Sequence, residues 1–85
     1  MRSQQFTVGT TAVLVVAADD IPRTVYLHHD SNQTVWLGGS NVSSANGLHF
    51  PKEATMAVFV PQGQTIYAIS DNADQTVAVF SPDAD

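Results

Sequence analysis

No cysteine occurs among the 85 residues, which removes thiolate nucleophiles, disulfide staples and every cysteine-based zinc site. Basic charge is nearly missing as well: Arg2, Arg23 and Lys52 stand against eight acids, giving a formal net charge of −5. Three cations cannot assemble the phosphate-binding patch that nucleic-acid association requires. Long apolar runs are also lacking. The longest, Ala12 to Ala18, is far too short to span a bilayer, so no membrane partner is expected. The stretch Met1-Arg2-Ser3-Gln4-Gln5 has no signal-peptide apolar region, and synthesis in a cytoplasm is the corresponding expectation. Charge of either sign is scarce, at 13% of residues against roughly 25% in ordinary soluble domains. A surface so poor in charge either exposes Ser, Thr, Asn and Gln or is hidden against partner chains.

What remains reads as strand. Short runs rich in β-branched and aromatic residues recur about every ten residues, between turn-forming clusters, the pattern of a small sandwich or barrel. The expected strands are Gln5-Val8, Thr11-Ala17, Arg23-His28, Thr34-Gly38, Ala54-Val60, Thr65-Ser70 and Gln75-Phe80. No stretch has a helical period. The fold class follows: an all-β, single-domain sandwich or partly open barrel of about seven short strands over residues 1–85. Residues 1–5 are expected as a flexible arm and residues 81–85 as an acidic tail, since termini stay loose unless tied down.

A local repeat suggests a register. Thr24-Val25-Tyr26-Leu27 returns ten residues later as Thr34-Val35-Trp36-Leu37. A hairpin centred on Ser31 would place Leu27 opposite Val35 and Val25 opposite Leu37 on one face, and Tyr26 opposite Trp36 on the other. A second hairpin centred on Ala73 would pair Ile69 with Val77 and Tyr67 with Val79. Several strands are apolar on both sides, notably Thr11-Ala17 and Ala54-Val60. A lone two-layer domain shows polar residues outside, so this surplus predicts an interface with other copies or a larger partner; the alternative is a tightly wound barrel whose outer small residues sit in water.

Residues with chemical potential do not converge. In His28-His29-Asp30 neighbouring strand residues point to opposite faces, so the two imidazoles cannot share a metal, and His49 lies in another segment. Asp71-Asn72-Ala73-Asp74 starts like a calcium loop, but strand sequence follows, without the bend-making Gly or the bidentate Glu. No serine sits in a Gly-x-Ser-x-Gly elbow. Gly38-Gly39 is followed by neither a Lys-Ser/Thr pair nor a helix, so it is no phosphate loop. Asn32-Gln33-Thr34 and Asn41-Val42-Ser43 match the glycosylation pattern only formally. No catalytic, cofactor or metal residue is assigned. The candidates for partner binding are the aromatics Tyr26, Trp36, Phe59 and Phe80, because exposed aromatics anchor interfaces. The alternative for Tyr26 and Trp36 is a small cluster packed under the loop Asn41-Phe50.

The stretch Thr34-Val35-Trp36-Leu37-Gly38-Gly39-Ser40-Asn41-Val42, then Ser43-Ser44-Ala45-Asn46-Gly47, and later Gln64-Thr65-Ile66-Tyr67-Ala68-Ile69-Ser70, resembles small β-rich virion structural proteins of tailed bacteriophages, of the capsid-decoration or head-fibre type. The resemblance covers roughly the second and third quarters of the chain and is more specific for the group than for any role within it. It implies a non-enzymatic protein made in the host cytoplasm and bound to the capsid exterior, with the major capsid protein and copies of itself as partners. Repeats and stalk segments of longer fibres are lacking, which favours a compact decoration protein. The rival reading is a carbohydrate- or receptor-binding module of a head fibre or tail, with Tyr26 and Trp36 stacking on sugar rings.

Overall fold

The computed structural model describes residues 2–31, 33–72 and 75–81. These residues form eight strands: β1 (Arg2–Val8), β2 (Val13–Val16), β3 (Arg23–His29), β4 (Val35–Gly38), β5 (Leu48–Phe50), β6 (Thr55–Val60), β7 (Ile66–Ser70) and β8 (Gln75–Ser81). They build two four-stranded sheets, A in the order β1-β8-β3-β6 and B in the order β2-β7-β4-β5. Every pairing is antiparallel. β1 pairs with β8, β2 with β7, β3 with β6 and β4 with β5, the pairings of one long hairpin rolled over on itself, and the contacts β3·β8 and β4·β7 close the roll. This is the jelly-roll form of a β-sandwich.

Alternation explains which residues meet between the sheets. β3 buries Arg23, Val25, Leu27 and His29 and turns Thr24, Tyr26 and His28 outward. β8 buries Gln75, Val77, Val79 and Ser81, and β4 buries Val35 and Leu37. In β2 a register shift between Leu14 and Val16 lets both Val15 and Val16 turn inward, as an extra residue in one strand allows. Phe50, Leu27, Val8, Val25, Val35, Val60 and Val77 are the large apolar side chains fully enclosed in this core.

The expected hairpin of residues 24–37 is not formed. β3 lies in sheet A beside β6 and β8, while β4 lies in sheet B beside β5 and β7. Val25, Leu27, Val35 and Leu37 do share the core, but they reach it from opposite sheets. The second expected hairpin fails for the same reason, since β7 and β8 also belong to different sheets; its centre, Ala73, lies outside the described residues. The short link is an arch stapled by side chains. His29, fully buried at the end of β3, accepts at Nδ1 from the Ser31 amide (3.2 Å) and hydrogen-bonds through Nε2 to the Gln33 carbonyl. Ser31 Oγ accepts from the Thr76 amide at 2.7 Å, and Gln75 Oε1 from the Gln33 amide at 3.2 Å. Backbone groups that a hairpin would pair with each other are thus met by an imidazole and a side-chain amide, while the Ser31 hydroxyl ties the arch to β8.

Two further expectations change. Residues 2–5 are not a free arm but the first part of β1, with Arg2 opposite Ser81 and Gln5 opposite Ala78. Leu48–Phe50, read from sequence as loop, is β5, a strand additional to the seven expected, pairing with β4 through Trp36 and His49. Of the expected acidic tail, Ser81 completes β8 and residues 82–85 lie outside the described residues.

Candidate functional site

The outer face of sheet A is a lattice of four short rows. Register places Ser3, Phe80, Tyr26 and Ala57 in one row, and Gln5, Ala78, His28 and Thr55 in the next. Thr24 and Phe59 pair beyond the first row, and Thr7 and Thr76 beyond the second. Tyr26, Phe59 and Phe80 are therefore neighbours on one exposed face, and the rings of Tyr26 and Phe80 stand 6.3 Å apart at 40°. Trp36 is not with them. It faces outward from sheet B, half-buried, in register with Ile69 and His49, with the His49 ring 6.5 Å away. The pairing of Tyr26 with Trp36 expected from the repeat is corrected: the two lie on opposite outer faces of the sandwich.

Trp36 owes its partial burial to the loop after β4, as the packed-cluster alternative expects. Val42, almost fully buried, folds back so that a Cβ on Gly38 would meet its Cγ2 at 2.9 Å. A Cβ on Gly47 would lie 2.5 Å from the Cβ of Trp36 and 2.9 Å from the Ser43 carbonyl oxygen. The loop is held locally, with the Ser43 amide donating to Asn46 Oδ1 at 2.7 Å and the Gly47 amide to the Ser43 carbonyl at 2.9 Å. The Gly-Gly-Ser-Asn-Val and Asn-Gly elements are thus a packing device over sheet B.

The histidines separate as their sequence neighbourhood suggests. His28 faces outward on sheet A, its Nδ1 3.0 Å from Thr55 Oγ1; His29 is core; His49 is exposed on sheet B. Among the described residues no group of three His, Asp or Glu is placed to hold a metal ion.

The two sides of the sandwich differ. Between β1 and β2 the sheets leave a cleft of about 180 Å³ lined by Phe6, Leu14, Val15, Val16 and Val79 among others, whereas on the β5/β6 side a wider groove of about 260 Å³ opens between them, lined by Leu37, Gly38, Leu48, Val58, Thr65 and Ile66. It adjoins a second groove of about 320 Å³ that shares Val58, Thr65 and Ile66 and adds Phe59, Val60, Pro61 and Gln64. Phe59, 63% exposed, and Leu48, 58% exposed, flank this seam and are the most exposed large apolar residues described. β6 is an edge strand whose sequence, Thr-Met-Ala-Val-Phe-Val, contains neither a charge nor a proline, the features that usually guard an edge against pairing or packing with another chain. Sequence reasoning singled out Phe59 but not Leu48 or the seam. The available signal was the alternation Leu48-His49-Phe50 between an Asn-Gly turn and Pro51.

No protein-family model matches the chain, and no characterised protein matches it in sequence. In fold it is similar to a chain from the solved structure of Bacillus endospore appendages, which form a family of disulfide-linked pili, with a TM-score of 0.67 and 17% identity over 94% of this chain and 83% of that one. That likeness establishes the β-sandwich architecture.

Proposed function

We propose that this chain is a non-enzymatic structural protein that decorates and cements a bacteriophage capsid, docking onto the shell and onto copies of itself through the β5/β6 seam. The observation that carries the reading is the seam itself. The wider of the inter-sheet clefts lies along this side, with Leu48 in it and Phe59 on the adjoining outer face of edge strand β6, the two most exposed large apolar side chains among the described residues. A contiguous apolar surface of this kind is what a partner covers. The sequence resemblance to phage virion proteins supports the choice of shell, and the fold likeness to an appendage protein supports a structural role. Bound cement stabilises an assembled shell by mass action, because it binds the assembled state and not the dissociated one.

A second reading, a filament subunit, is favoured by the fold likeness alone. If this chain built such a filament, the 85 residues could not reproduce a disulfide link, since they contain no cysteine, and the contacts would be non-covalent. Electron cryo-microscopy of particles from producing cells separates the two. Decoration predicts density for this sandwich on the outside of capsids, and shells depleted of it that leak DNA at lower heat stress and recover on add-back of the pure protein. Filaments without capsid density, or depleted shells as robust as intact ones, overturn the cement reading.

A further inference from the structure

The face of sheet A opposite the core has a feature that docking through the seam does not use. Across the strands, the row Gln5-Ala78-His28-Thr55 carries its smallest side chain on β8, one of the two inner strands of the sheet. Beside it stand Phe80 and Tyr26, one row on. The result is a groove of about 460 Å³ whose wall is aromatic and whose rim is Ser3, Gln5, His28 and Thr55. Its volume lies within the usual range for small-molecule sites, roughly 300–1,000 Å³. The groove is shallow and runs across the strands, so a ligand in it meets side chains rather than a free backbone edge.

The chemistry of the lining is narrow. None of the residues whose side chains make this face in the described rows, from Ser3 on β1 to Phe59 on β6, is an acid, a lysine or an arginine. An anionic or cationic ligand would find no counter-charge there and would lose hydration without compensation. The amide, hydroxyl and imidazole groups of the rim stand at the open edge of the groove, where a ligand that carries hydroxyls gains hydrogen bonds that a purely apolar one does not. What fits is a neutral molecule with apolar C–H faces for Tyr26 and Phe80 and many hydroxyls for Gln5, Ser3, Thr55 and the His28 ring nitrogen not bonded to Thr55. We infer that the groove across Gln5, Ala78, His28 and Thr55, walled by Tyr26 and Phe80, is a binding site for a neutral hexose chain. Such a site gives a particle-bound protein a reversible grip on neutral polysaccharide, and many copies on one shell multiply a weak single-site affinity.

The test is NMR titration of the 15N-labelled chain with maltohexaose, cellohexaose and chitohexaose, each at millimolar concentration, with polygalacturonate and a Gln/Thr-rich decapeptide as competitors of other classes. The inference expects at least one hexasaccharide to shift the amides of residues 3–5, 26–28, 55 and 78–80, leaving residues 36 and 48–49 unmoved. Tyr26→Ala removes the stacking wall and should weaken binding by about tenfold or more, corresponding to about 1.4 kcal/mol. Ala78→Leu fills the groove floor and should abolish binding even if Tyr26→Ala proves unfolded. Leu48→Ser, at the seam, should leave the affinity unchanged, which separates this inference from the docking proposal. No shift with any of the three hexasaccharides overturns it. So do shifts that survive both groove variants, perturbations centred on Trp36, or equal or tighter binding of the polyanion or the peptide.

Discussion

Gly47 shows how a single atom governs the loop over sheet B. Because an added Cβ would overlap the Cβ of Trp36 and the carbonyl of Ser43, and neither backbone nor Cβ can rotate away, the loop must lift or β4 must shift. Gly47→Ala should therefore cost about 1–3 kcal/mol, the range for overpacking a filled site, and urea denaturation would measure it. His29 is the second such residue. Removing its imidazole deprives the Ser31 amide and the Gln33 carbonyl of their partner and empties a fully enclosed volume packed against Phe50, whose ring centroid is 5.7 Å away. His29→Ala should cost about 2–5 kcal/mol, as buried large-to-small changes do, whereas Ala at the exposed His49 should stay within about 0.5 kcal/mol. Neither role was legible beforehand. Alternation from Val25 and Leu27 turns His29 inward and His28 outward, but the bonds that His29 makes across the arch depend on a connection that the sequence does not reveal. The burial of Leu37, by contrast, follows from alternation alone, and Leu37→Ala should cost about 2–5 kcal/mol.

Strands were legible from sequence because alternation is a local property; their partners were not. The Thr-Val-aromatic-Leu repeat gives the correct inward set, Val25, Leu27, Val35 and Leu37, under a hairpin and under an arch alike, since both put those residues against one another. Only the connection distinguishes them. Its deciding groups, Ser31, Gln33 and His29, bond to β8 and to one another rather than to residues nearby in a hairpin. β5 escaped notice because three residues carry too little periodicity to stand apart from a loop. At the edge of sheet A, β6 makes a separate prediction. Phe59→Lys places a charge on the seam at an exposed position, so fold stability should change by less than about 0.5 kcal/mol. Association with shells or with other copies should be lost, read by co-sedimentation. A variant that co-sediments like the parent would remove β6 from the docking surface.

For the whole molecule, the scarcity of charge and the surplus of apolar strand faces were the legible part, whereas the placement of the aromatics was not: Tyr26 and Trp36, expected together, lie on opposite outer faces. The seam was not legible, because it exists only where two sheets built from distant segments fail to close. Its energetics carry a signature. Stable interfaces bury on the order of 1,200–2,000 Å², and with Lys52 the only charged side chain in the 12 residues before Phe59 besides Glu53, screening has little to weaken. Binding should change little between low and high salt, unlike contacts dominated by exposed ion pairs, and co-sedimentation across a salt series would show it.

The central claim is that a partner covers the open side of the sandwich. Hydrogen exchange of the free protein and of the protein bound to its shells measures this directly. The account predicts new protection confined to residues 48–50 and 55–66, the strands and turn that line the seam. Unchanged exchange in those residues, with protection appearing instead on β1 or over the loop at Trp36, would contradict it.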